Sequence, residues 1–257
     1  MSIRFDTSTD AVTGSLNSNL TVSTGDFVIG RWVYVYSKAA NATCGGISRQ
    51  GTSEYMNTQY SNGADQMFTG TGTGNGLASW SPTLNTWYWV VSSRESSVLK
   101  FRAFDDSIST TPLASGGAGS DTTDYLTFNK IKLGFFSEVG LNALDCQQAN
   151  FKVHTGVTWT NAEARTESQK FGIQKSGGNN RLCWGLETLD ATQYGLAEFT
   201  GAEVTLTNMG AVLGASRPSQ LEAVPSTGTT YNKTEFKIGG SPIVLNSTQP
   251  NYAMLQF

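Results

Sequence analysis

Asn85–Asp106 reads NTWYWVVSSRESSVLKFRAFDD, two runs of aromatic and β-branched residues joined by the short polar segment Ser92–Ser97. In the first run Trp87, Trp89 and Val91 fall on one face and Tyr88 and Val90 on the other; in the second, Leu99, Phe101 and Ala103 alternate with Lys100 and Arg102. A period of two on either side of a short polar connection predicts a β-hairpin with one buried face. Its tryptophan content points to a large all-β core.

The same period extends through the flanking chain. Ile3–Val12 reads as a first strand. Along Asp26–Tyr36, Arg31 falls in register with Ile29, Val33 and Val35 while Trp32 and Tyr34 share the other face, a pattern that a central strand covered on both sides explains. Ile131, Leu133 and Phe135 alternate with Lys130 and Lys132. In Asn150–Val157, Phe151 and Val153 are expected to face in, and Lys152 and His154 out. Thr52–Asn75 and Thr110–Thr123 are rich in turn residues and read as loops; the run TGTGTGNG at Thr69–Gly76 lacks the Gly-Lys-Ser/Thr and the following helix of a phosphate loop. The one helix signal is Thr160–Gly172, where Thr160 and Glu163 have capping-box spacing and Gly172 supplies a left-handed stop. Arg181–Leu186, Ala202–Asn208 and Lys237–Asn246 read as further short strands. The class is therefore all-β with one short helix near 160–172, in a main domain expected over 1–221. A Pro-, Ser- and Gly-rich arm, 222–257, would pack on the same domain or on a neighbouring subunit.

Charged residues make up 14% of the 257-residue chain, against roughly 25% in an average soluble protein. The formal charge is −3, from 17 basic and 20 acidic residues, without any basic run. That balance gives no footprint for nucleic acid or an anionic membrane. The start, MSIRFDTSTD, has no apolar signal region and no stretch is long enough to span a bilayer, so synthesis in the cytoplasm without export by a standard signal is expected. Cys44, Cys146 and Cys183 are far apart, form no CxxC pair, and are expected as buried small hydrophobes of a reducing compartment.

In order, these motifs resemble the laminin-G-like branch of the concanavalin A-like lectin/glucanase superfamily. The resemblance is carried by Ile3-Arg4-Phe5-Asp6 with Asp10 and Val12, by Phe27-Val28-Ile29 with Trp32-Val33, and by Trp87-Tyr88-Trp89-Val90-Val91. Phe101–Asp106, Phe151-Lys152-Val153 and Trp159-Thr160 with Glu163 complete it, so it spans residues 1–172. Departures are Thr7 in place of the first Gly, Asp106 in place of a Gly, and Trp159 in place of Leu. The resemblance implies a two-sheet antiparallel jelly-roll β-sandwich, with Trp87 and Trp89 stacked between the two sheets and ligand contacts left to the loops. Domains of this type without a signal peptide and with Ser/Thr/Gly/Asn-rich loops occur in tail and capsid-surface proteins of bacterial viruses. It therefore also implies a virion-surface localisation and a homo-oligomer among other particle subunits.

Glycanases of the superfamily carry E-x-D-x-E or E-x-D-x-x-E on a strand, and this sequence has neither string. His154 stands without a nucleophile motif and reads as an ordinary surface residue. No catalytic residue is expected and no cofactor is required. Calcium is the one metal with candidate oxygen ligands, at Asp105, Asp106, Asp121 and Asp124. For a glycan, aromatic faces flanked by amides are offered by Tyr55, Asn57, Gln59, Tyr60 and Asn62 in one loop, by Trp80 near its end, and by Tyr194 in another. The apolar run Tyr252–Phe257, with Met254 and Leu255, is the candidate assembly contact. The expected function is a non-catalytic surface or adhesion protein of a larger assembly that binds glycans. The alternatives are a polysaccharide-degrading enzyme and a stand-alone lectin.

Overall fold

The computed structural model describes residues 2–20, 22–38, 40–49, 52, 54–78, 80–125, 128–136, 140–170, 172–184, 192–197, 204–214, 218–219, 230–231, 235–238 and 241–244. In chain order the elements are β1 (Ser2–Phe5), β2 (Ala11–Leu20), β3 (Phe27–Val35), β4 (Ala42–Ser48), β5 (Tyr55–Ser61), β6 (Gln66–Thr71), β7 (Asn75–Leu77), β8 (Trp87–Glu95), β9 (Val98–Asp105) and β10 (Ala114–Ser120). They continue with β11 (Phe128–Gly134), β12 (Asn142–Ala143), β13 (Cys146–Thr155), α1 (Asn161–Gln169), β14 (Asn180–Trp184), β15 (Thr192–Ala197), β16 (Val204–Met209) and β17 (Val212–Gly214). The last three, β18 (Thr230–Tyr231), β19 (Glu235–Ile238) and β20 (Ser241–Val244), form a small sheet of their own. The chain divides into two compact units, Met1–Glu222 and Ala223–Phe257.

The first unit is a sandwich of two antiparallel sheets. In sheet A, β13 pairs with β3, β3 with β8, β8 with β9 and β9 with β10. The free side of β13 takes β1 along its first half and β14 along its second. Sheet B runs β16, β2, β11, β4, β5, β6, β7. Strand β15 pairs with β14 of sheet A and with β16 of sheet B, joining the two sheets at one edge.

The hairpin of β8 and β9 exists with the register its alternation demands, Val90 opposite Ala103 and Trp89 opposite Phe104. Both of its faces are buried, not one. Tyr88, Val90, Phe101 and Ala103 lie in the inter-sheet core with Ile29, Val33, Phe151 and Val153. Trp87, Trp89, Val91 and Phe104 form a second core with Val28, Trp32, Trp159 and Ala164 of α1, on the outer side of sheet A. The tryptophans are thus under the helix rather than between the sheets. A short amphipathic cover explains why sheet A carries apolar residues in both phases of its alternation. β3 is the central, doubly covered strand: Arg31 is fully buried among the inter-sheet residues and bonds to the carbonyls of Cys44 and Gly45.

The helix begins where the capping box puts it. Thr160 Oγ1 accepts from the Glu163 amide while the Glu163 carboxylate accepts from the Thr160 amide at 2.7 Å. It ends at Gln169 with Lys170 extended, so Gly172, at φ +75°, lies beyond the end rather than stopping it. Thr160→Ala removes one of the two reciprocal bonds and is expected to lower stability by about 1 kcal/mol, read by urea denaturation.

Three other expectations are corrected. Ile3–Val12 is two strands, because the Asp10 carboxylate accepts from the amides of Asp6 and Thr7 at 2.9 Å and closes a turn between them. Thr52–Asn75 and Thr110–Thr123 hold β5, β6 and β10: their glycines allow close strand packing, as at Gly76 and Gly119, where a Cβ would meet backbone at 2.6 Å and 2.3 Å. Lys152 and His154 do face away from the inter-sheet core, but α1 and the segment after it cover them completely.

Candidate functional site

The outer face of sheet B has no helix on it among the described residues. Strand β5 defines it by parity. Met56 and Tyr60 belong to the inter-sheet core, and the Thr58 hydroxyl meets the Ser92 hydroxyl of sheet A at 3.0 Å. Tyr55, Asn57, Gln59 and Ser61 therefore point outward. One continuous rung runs Lys132, Gly46, Asn57, Gly70, Asn75 across five strands. The two glycines flank Asn57 with no side chain of their own, and the furrow between the larger residues is covered by the Gln59 side chain, so that Asn57 is 0% exposed.

Local packing explains why these positions are glycine. A Cβ at Gly46 would lie 2.0 Å from the Met56 carbonyl oxygen, and one at Gly70 would lie 2.3 Å from the Gln59 amide nitrogen. The Gln59 side chain lies over Gly70 and donates to Asn57 Oδ1 at 2.8 Å. That bond fixes the Asn57 amide with its nitrogen free: Nδ2 is buried and has no hydrogen-bond partner. An orphaned buried donor costs about 1–3 kcal/mol, which a hydroxyl acceptor recovers. On one side of the amides is Tyr55, half-buried, its ring 5.9 Å from Phe136. On the other is the rung Gln59, Phe68, Leu77, in which Leu77 is exposed. The furrow thus sets amide donors between an aromatic ring and an apolar rung.

The remaining sequence candidates lie elsewhere. Tyr60 faces inward and its hydroxyl donates to Asp65 at 2.6 Å; burial first, then Asp65, pushes that phenol up to about 12. Trp80 packs edge-on to Tyr88 at 4.8 Å, against the inter-sheet core. Tyr194 stands opposite Thr205 in the β15–β16 pair. Tyr252, Met254, Leu255 and Phe257 lie outside the described residues.

The four aspartates form two pairs at opposite ends of β9, roughly 20 Å apart. Asp105 faces Arg165 at 3.6 Å, and Asp106 accepts from the Ser219 amide at 2.7 Å. At the other end Asp124 is exposed, whereas Asp121 is buried and accepts from the Tyr125 hydroxyl at 2.7 Å, the Thr73 hydroxyl and the Thr123 amide. Burial, then Asp121, raises the Tyr125 phenol to about 12. Among the described residues no three His, Cys, Asp or Glu side chains are grouped to hold a metal.

His154 is fully buried. Trp159 Nε1 donates to its Nδ1 at 3.3 Å, which leaves Nε2 to donate to the Gly177 carbonyl at 2.9 Å. Lys152 and Glu167 pair beside it at 2.8 Å, both buried. These groups tie α1 and the segment after it to sheet A.

A solved structure shares this architecture. A candidate carbohydrate-binding protein from Bacteroides ovatus superposes with a TM-score of 0.55 at 12% identity, over 87% of this chain and 61% of that one. The fold is a two-sheet antiparallel jelly-roll β-sandwich. This sandwich therefore spans under two thirds of the Bacteroides protein. A heptameric SAP-like pentraxin from Limulus polyphemus aligns over 81% of this chain and 95% of its own, with a TM-score of 0.48 and 8% identity. No protein-family model matches the chain, and no curated protein matches it.

Sequence reasoning named Tyr55, Asn57 and Gln59 but placed them on a loop. It passed over Gly46, Gly70, Phe68 and Lys132, which shape the furrow. The period-two spacing of Tyr55, Asn57 and Gln59 against Met56, Thr58 and Tyr60 was the available signal.

Proposed function

We propose that the chain is a non-catalytic carbohydrate-binding sandwich that serves as an adhesion component on the surface of a larger assembly, a bacteriophage particle, and that the outer face of sheet B holds the glycan. The observation that carries the reading is the unpartnered Asn57 amide nitrogen on the outer face of sheet B, between two glycines and beneath the Gln59 side chain, where a ligand hydroxyl reaches it once Gln59 moves aside. Sugar rings present hydroxyl acceptors along their edges and weakly apolar faces, which match amides beside Tyr55 and Leu77. The rungs across this furrow carry Lys132, Asn57, Asn75, Gln59, Phe68 and Leu77 and no carboxylate. Glycoside hydrolysis needs two carboxylates about 5–10 Å apart, so the face supports binding rather than cleavage.

A glycan array followed by titration calorimetry tests the reading. Gln59→Ala and Tyr55→Ala are each expected to weaken binding about tenfold or more, the worth of one hydrogen bond or stacked ring; Gln59→Ala also strips the buried Asn57 Oδ1 of its donor and is expected to lower stability by about 1–3 kcal/mol, so affinity is read at temperatures where the variant is folded. Retained affinity in both variants contradicts it. The assembly role is tested separately by light scattering and by mixing with the other particle proteins, and a monomer that ignores all of them contradicts that part.

A further inference from the structure

Two of the three thiols meet in the inter-sheet core. Cys44 is the extra residue of a β-bulge in β4: Thr43 pairs with Gln59 and Gly45 with Thr58, so Cys44 has no rung of its own. A bulge bends its strand and re-aims a side chain. Here Gly45, at φ +87°, permits the bend, and the Cys44 side chain enters the core. Cys146, the first residue of β13 in the opposite sheet, is equally buried in the same core cluster, and the chain brings the two together, since the Leu144 amide, two residues before Cys146, donates to the carbonyl of Thr43, next to Cys44, at 2.9 Å.

Sheet A holds the bulge in place. Arg31 donates to the Cys44 carbonyl at 2.7 Å and to the Gly45 carbonyl at 2.8 Å. Gln148 donates to the Cys44 carbonyl at 2.9 Å and to Cys146 Sγ at 3.7 Å, and accepts from Arg31 at 3.1 Å. The Cys146 thiol, with the Arg31 charge adding to it, holds the Cys44 thiol below its ordinary value, while burial raises Cys146. Cys183 is excluded from the pair. It stands opposite Lys152, on the helix-covered side of sheet A, with its thiol on Asn150 Oδ1 at 3.4 Å.

We propose that Cys44 and Cys146 close as a single inter-sheet disulfide when the chain folds in the presence of a small-molecule disulfide such as oxidised glutathione, and that Cys183 stays a thiol. The Cys44 thiolate attacks the glutathione disulfide, whose S–S bond breaks and releases one glutathione thiolate. The Cys146 thiolate then attacks Cys44 Sγ of the mixed disulfide and releases the second. Two protein thiols lose two protons and two electrons, and one reagent disulfide becomes two thiols. Both cysteines are 0% exposed, so the exchange takes place before the sheets close.

The unmodified chain is refolded from guanidinium in a glutathione redox buffer, alkylated, digested and mapped by mass spectrometry without reduction. The expected result is one linked peptide pair joining Cys44 to Cys146, with Cys183 alkylated. Melting of that species is expected roughly 10 °C above the reduced protein, because the bridge closes a loop of about 100 residues. The shift is expected to vanish in Cys146→Ala and to persist in Cys183→Ala. Three alkylated cysteines, or a bridge that includes Cys183, overturns the proposal. The mapping uses the natural sequence, so poor folding of a variant does not shield it.

Discussion

Trp89→Ala lowers stability by about 3–5 kcal/mol and leaves glycan affinity unchanged at temperatures where the variant is folded. The ring is fully buried on the outer side of sheet A, edge-on to Trp32 with centroids 5.8 Å apart. It lies so close over Gly30 that a Cβ there would come within 2.5 Å of it. Trp159 and Ala164, from the segment that covers the sheet, complete the enclosure. With sheet backbone on one side and the helix on the other, these walls cannot collapse into the space left, so the cavity cost adds to the transfer cost. Urea denaturation reads the change as a lower midpoint. A loss under about 1 kcal/mol means that the ring is not enclosed, and a stable variant that no longer binds glycan returns the tryptophans to the binding site.

Glu167→Gln is expected to cost about 3–5 kcal/mol, although it changes neither shape nor volume, because it leaves the Lys152 ammonium buried without its counter-charge. The Lys152 Nζ donates to the Glu167 carboxylate at 2.8 Å and to the carbonyls of Glu167 and Gly172 at 2.7 Å and 2.6 Å. The other carboxylate oxygen accepts from the amides of Gln174 and Lys175, each at 2.7 Å. The pair thus anchors both α1 and the segment that follows it. Lys152→Met alone leaves the carboxylate buried and is expected to cost a similar amount. The double variant Lys152→Met, Glu167→Leu should lose clearly less than the sum, since no unpaired charge remains. Additive losses, or a Glu167→Gln loss within about 1 kcal/mol of zero, contradict this account of the layer.

The architecture was largely legible because the strands of the central sheet keep their period. The alternation of Trp87–Val91 against Leu99–Ala103 was enough to find the hairpin, and Arg31 in phase with Ile29 and Val33 pointed to a strand covered twice. Alternation alone does not say which face meets the other sheet and which meets a helix, since both are apolar; that is why Trp89 was assigned to the wrong layer. Lys152 and His154 look like surface residues from their polarity, and only the cover from α1 makes them buried partners. In Thr69–Gly76 and in Ala114–Ser120, glycines that usually mark loops serve close strand approach instead. The candidate site was half visible: Asn57 was named for its amide, but the glycines that open the furrow around it lie in the neighbouring strands β4 and β6, and cross-strand rungs are not written in local sequence.

A chemical-shift map of the isotope-labelled protein, titrated with the best ligand from a glycan array, locates the binding face. The largest shifts are expected at Tyr55, Asn57, Gln59, Gly70 and Leu77, with the Asn57 side-chain amide among the most affected signals. Shifts centred on the helix side of sheet A, or on the Asp105–Leu113 end of the sandwich with β5 silent, would contradict it.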